Sequence, residues 1–153
     1  MTTVTLPRLL AAAGIGIVYY WVAVLVWGFL GANNPINEML LDAFVRHERY
    51  IVTYRIIISL HDVVVNVLVA LPFAAIFRWI PPLRNWTYVL LGAATIVIAT
   101  YASTNLQGLP LLLRSWNFWL GLAITALSLP VAFALLNRSH SGPAPLRAAH
   151  DAA

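Results

Sequence analysis

Residues 56–80 read IIISLHDVVVNVLVALPFAAIFRWI, and this stretch decides the fold. A helix crosses a hydrocarbon layer of about 30 Å with about 20 mostly apolar residues rising about 1.5 Å each. The stretch is that long, but it carries His61, Asp62 and Asn66 in its middle. An aspartate near a helix centre costs about 2.5–3.5 kcal/mol on insertion scales, whereas each Leu, Ile, Val or Phe returns about 0.3–0.6 kcal/mol. The apolar residues greatly outnumber the one acid, so insertion wins.

Three further stretches pass the same test: 9–31, 87–106 and 116–136. The joints between the spans hold the helix breakers Asn33-Asn34-Pro35, Pro81-Pro82 and Gly108 with Pro110. Over all 153 residues, 61% are hydrophobic and 9% are charged, too few polar groups to cover a water-soluble domain of this size. The net charge of +4 is spread thinly and forms no basic face, which excludes a nucleic-acid domain. Cysteine is absent, which removes disulfides, thiolate metal sites and c-type haem attachment. The first apolar run is longer than the core of a secretory signal and is preceded by Arg8 alone, so it reads as a retained helix.

The fold class expected is therefore an all-α integral membrane protein, with four transmembrane helices in an antiparallel bundle over residues 1–138. A stretch at 36–50 repeats Met39, Leu40, Ala43, Phe44 and Val45 at helical spacing among charged residues. It reads as an amphipathic outer helix that either continues into helix two or lies on the membrane surface. Residues 139–153 read as a disordered cytoplasmic tail. Arg8, Arg78, Arg84, Arg138 and Arg147 flank one side of the spans, against Arg46, Arg49, Arg55 and Arg114 on the other. The positive-inside rule then puts both termini in the cytoplasm of a bacterial inner membrane.

The polar residues of helix two have a spacing of their own. Arg55, Ser59, Asp62 and Asn66 advance by four, three and four, which puts them on one helix face. That intramembrane stripe should look into the bundle and find partners on helix three, with Thr100, Tyr101 and Thr104 as donors and Arg114 as a counter-charge. Asn66 falls level with Tyr20 and Trp21 of helix one and near Thr125 of helix four. His61 sits about 100° off the stripe and points to an interface or a ligand. Haem between two His61 rings of a dimer is conceivable but disfavoured, and no metal site is expected, since the other spans hold no histidine. Gly14 and Gly16 with Ala11–Ala13 offer a surface for close helix contact.

Ser59, His61 and Asp62 diverge around the helix and make no nucleophilic triad, and the His-Glu-x-x-His and Gly-x-Ser-x-Gly motifs are missing. The expectation is a non-catalytic accessory or scaffolding subunit of a larger membrane assembly, without cofactor. Its partners would be the lipid bilayer and either other membrane subunits or copies of itself. Asp42, Arg46 and Arg49 on the outer helix are the candidate partner contacts. The competing expectation is a small-ion or proton carrier or channel that uses the stripe of helix two.

Overall fold

A computed structural model describes residues 5–33, 39, 51–104 and 113–138. The outer helix expected at 36–50, with Asp42, Arg46 and Arg49, lies outside the described residues except for Met39, and so does the tail from 139. Four helices account for almost all of what is described: α1 Leu6–Asn33, α2 Ile51–Trp79, α3 Trp86–Ser103 and α4 Trp116–Arg138. All four are long and apolar enough to span a membrane.

The helix ends depart from the expected ones where local chemistry extends or stops the helix. α1 starts three residues early, because Pro7 fits the first turn, where no N–H is required, and the Thr5 carbonyl accepts from Arg8 and Leu9. α2 is already helical at Ile51, five residues before the expected start, with no proline or glycine in Ile51–Arg55 to prevent it. α3 starts one residue early behind Asn85, whose side chain accepts from the Thr87 N–H at 3.2 Å as an N-cap. It ends at Ser103 instead of Leu106, since Thr104 turns to extended geometry with its N–H on the Tyr101 carbonyl. Pro72 and Pro130 lie inside α2 and α4 without ending them, as membrane helices tolerate.

Packing does not follow chain order. α1 packs chiefly on α3, and α2 chiefly on α4. Along the first seam the contacts ascend together: the Thr95 hydroxyl reaches the Ala13 carbonyl at 3.3 Å, and the Tyr20 hydroxyl bonds that of Ser103. Small residues make the seam close, for a methyl group on Gly16 would fall 2.3 Å from the Gly92 carbonyl oxygen. Gly14 has nothing within 4 Å of the same position and takes no part. At one end of the second seam, Arg78 donates to the Leu136 carbonyl at 2.8 Å, satisfying an acceptor in the last turn of α4. α2 and α3 are joined by the short 3-10 turn Pro81–Leu83, yet they touch little. They meet where the Phe77 ring lies against Gly92.

The core occupies only one half of the helices. Its members repeat every three or four residues: Ala12, Gly16, Tyr19, Tyr20 and Ala23 in α1; Asn66, Ala70, Ala74 and Phe77 in α2; Val89, Gly92, Ala93 and Ile96 in α3; Ser128, Leu129, Ala132 and Phe133 in α4. These all lie toward the end marked by Arg78. Among the described residues, none is buried in 52–65 of α2 or in 116–127 of α4. The same holds for 97–103 of α3 and 24–30 of α1. The helices are thus closed at the Arg78 end and open into clefts at the Tyr54 end.

Candidate polar site between helices α2 and α4

The stripe predicted on α2 straddles that boundary. Arg55, Ser59 and Asp62 lie in the open half and together line a cleft of about 410 Å³, while Asn66 is 2% exposed and belongs to the closed core. The opposite wall of the cleft is α4, which contributes Trp116, Asn117, Leu120, Gly121 and Ile124. The stripe therefore looks at α4 and not at α3. This corrects the expected partners. The Thr100 and Thr104 hydroxyls bond carbonyls of their own helix, at Ile96 and Thr100, with distances of 2.8 and 2.7 Å. Tyr101 packs edge-on against Phe118, with ring centroids 6.1 Å apart. Arg114 is exposed in the turn before α4. The cause is the helix pairing: α2 and α3 adjoin in the chain but lie across the structure from each other.

Asn117 is the wall residue that the sequence reading passed over. It sits one residue after Trp116 at the start of the fourth span, where a polar side chain draws no notice in a hydropathy scan.

Asp62 is incompletely satisfied. Its side chain is 33% exposed, and among the described residues its carboxyl group has one partner, the Nδ1 of the adjacent His61 at 3.4 Å. That distance is long for a hydrogen bond and longer still for a charge-assisted one. His61 is less exposed, at 23%, and its ring stands edge-on to Trp27 of α1, 6.2 Å between centroids. Among the described residues, no three His, Cys, Asp or Glu side chains converge as metal ligands.

Asn66 anchors a second, deeper group. Its amide donates to the Asp62 carbonyl one turn back at 2.9 Å, but its buried Oδ1 has no partner among the described residues. Beside it, the Tyr19 hydroxyl of α1 shares its proton between the carbonyls of Asn66, at 3.5 Å, and Thr125, at 3.3 Å. Ser128 completes the buried polar set and bonds the Ile124 carbonyl at 2.6 Å. The level expected for Asn66, beside Thr125 and near residue 20 of helix one, agrees with this. The side chain differs: Tyr19 faces inward, Tyr20 turns to Ser103, and Trp21 is exposed.

The two groups have different capacities. Tyr19 ties three helices together in the buried core beside Asn66 and Ser128, whose side chains bond within their own helices, whereas Arg55, Ser59, Asp62 and Asn117 offer a cation, a hydroxyl, a carboxyl and an amide around an open cleft. No family model, no curated protein and no solved structure matches this chain. The functional reading accordingly rests on this geometry alone.

Proposed function

We propose that this chain is a non-catalytic accessory or scaffolding subunit of a larger assembly in the bacterial cytoplasmic membrane. Its four helices traverse the bilayer alternately as an antiparallel bundle, with both termini cytoplasmic and the Tyr54 end outside. One observation carries the reading. Past Asn66 the polar stripe stops, and the helices close over Phe77, Leu129 and Phe133, with Gly92 in direct contact with the first two. A carrier needs a wet route across the membrane, and among the described residues the Arg78 half offers it few polar groups.

Purification in mild detergent, with identification of whatever co-purifies, tests the proposal. A stable complex is expected, and reversal of both Asp42 and Arg46 should weaken it while leaving insertion unchanged, because lipid has no use for that charge pattern but a partner can read it. A chain that purifies alone and intact would end the accessory reading.

The second reading, a small-ion or proton carrier, draws on the partly exposed Asp62 and on the Asn66 Oδ1, which has no partner among the described residues. Cysteines placed singly at 62 and 66, in a chain without native thiols, separate the two readings. The accessory reading expects reagent to reach 62 from one side only and to miss 66. Labelling at 66 from both sides would favour the carrier.

A further inference from the structure

The cleft between α2 and α4 presents opposite charges at two depths and continues into an apolar groove. Arg55 and Asp62 are seven residues apart on one face, about 10 Å along the helix. Ser59 lies between them and Asn117 opposite. The same Arg55 and Ser59 also border an adjoining groove of about 520 Å³ between α2 and α4, lined by Val52, Ile56, Leu60 and Val63 with Leu120 and Ile124. That groove is almost wholly apolar, and its walls are leucine, isoleucine and valine side chains. A ligand filling both spaces carries an anion, a cation and a hydrocarbon chain in one molecule.

We infer that the cleft binds a single phospholipid with an ethanolamine head group. Its phosphate pairs with the Arg55 guanidinium, its primary ammonium donates to the Asp62 carboxyl group and to the Ser59 hydroxyl, and one acyl chain lies along Val52, Ile56, Leu60 and Val63. The assignment rests on charge complementarity. Within the described residues Asp62 has only the long contact to His61, and a carboxylate at membrane depth is costly until a donor or a cation reaches it. A choline head group brings the charge without an N–H to donate, and a glycerol head group brings hydroxyls but no cation to Asp62. The inference rests on the membrane reading of the four helices but not on the accessory role, and it gives the polar stripe a ligand whether or not a protein partner exists.

The test is native mass spectrometry of the full chain after extraction from vesicles of equal parts ethanolamine, choline and glycerol phospholipids. One ethanolamine lipid per chain is expected, about fivefold or more over choline lipid, as suits a partly exposed ion pair. Retention should fall stepwise through the singly and doubly methylated head groups, a series that uses the wild-type chain throughout. Asp62→Asn should remove the preference for ethanolamine while still holding phospholipid, and Arg55→Gln should lower the retention of all three classes. Leu60→Trp, which fills the apolar groove without touching the head-group residues, should release the lipid from a chain that remains folded. Equal retention of the three lipids, a flat methylation series, or an unchanged preference in Asp62→Asn would each overturn the assignment. Extraction of the chain without detergent would overturn the membrane reading instead.

Discussion

Gly16 of α1 lies so close to the backbone of Gly92 in α3 that no side chain fits at position 16. A methyl group at Gly16 would come within 2.2 Å of the Thr95 Oγ1 and 2.3 Å of the Gly92 carbonyl oxygen. The hydroxyl could rotate away, but the carbonyl belongs to a helix backbone and cannot. Gly16→Ala should therefore push α1 from α3 and cost about 1–3 kcal/mol, the usual scale of overpacking. Gly14→Ala is the control, since nothing lies within 4 Å there. It should be neutral or gain up to about 1 kcal/mol from helix propensity. Thermal unfolding in detergent compares the two, and equal stability would mean that the α1–α3 seam is not formed as described.

This contact also explains which parts of the fold could be read from sequence. The four spans were legible because each is a long apolar run between breakers, a property of composition alone. The neighbours of each helix were not, since they depend on which small residues face one another. Gly16 and Gly92 are both visible in the sequence, but nothing in their local context says that they meet. The partners of Asp62 were misplaced for the same reason. They were sought on the helix next in the chain, whereas the closest wall belongs to α4. Tyr19 and Tyr20 show a finer limit, for adjacent helical residues diverge by about 100° and hydropathy does not reveal which of two tyrosines points inward.

Tyr19 joins three helices through one hydroxyl. It donates to carbonyls of α2 and α4, and its ring packs edge-on against Phe73 at 5.4 Å. Tyr19→Phe keeps the ring contact and deletes only the donor, so it should cost about 0.6–1.7 kcal/mol, the range found for interhelical hydrogen bonds in membranes. Tyr19→Ala adds the loss of a fully buried ring, with a further cost of about 3 kcal/mol or more. Stability measured by steric trapping or detergent titration should rank the three proteins in that order. A Phe variant as stable as the native chain would show that the hydroxyl contributes nothing to holding α1 against α2 and α4.

Asp62 should behave in the opposite way. Its side chain is partly exposed in the open half and bonded only to His61 at 3.4 Å within the described residues. In lipid-free detergent, Asp62→Asn and Asp62→Ala should both remain within about 0.5 kcal/mol of the native chain, as substitutions away from packed or paired groups do. Insertion during synthesis should improve most in Asp62→Ala, since removing the acid relieves up to about 2.5–3.5 kcal/mol on insertion scales, and less in Asp62→Asn, which keeps a polar amide in the span. Glycosylation-reporter assays of the α2 segment read that gain directly. A loss above about 1 kcal/mol in Asp62→Ala would show that Asp62 shares the adhesion between helices with Tyr19.

The final prediction concerns orientation. Arg78, Arg84 and Arg138 gather at the closed end of the helices, and Arg78 is tied there to the Leu136 carbonyl. The open end carries Arg55 and Arg114 among the described residues, with Arg46 and Arg49 in the connection between α1 and α2. Arginines in short loops favour the cytoplasmic side, and the α2–α3 turn is the shortest loop of the chain, with Arg84 in it. Single cysteines in this thiol-free sequence read the orientation cleanly. In intact cells, a membrane-impermeant maleimide should label a cysteine at Glu38 or Ser115 and spare one at Arg84, and permeabilisation should expose Arg84. The reverse pattern would place the closed end outside, with the termini and the cleft of Arg55 and Asp62 on the opposite faces from those proposed. Labelling of both positions in intact cells would signal two orientations of the chain, and moving one arginine from Arg46 to the α2–α3 turn should then collapse them into one.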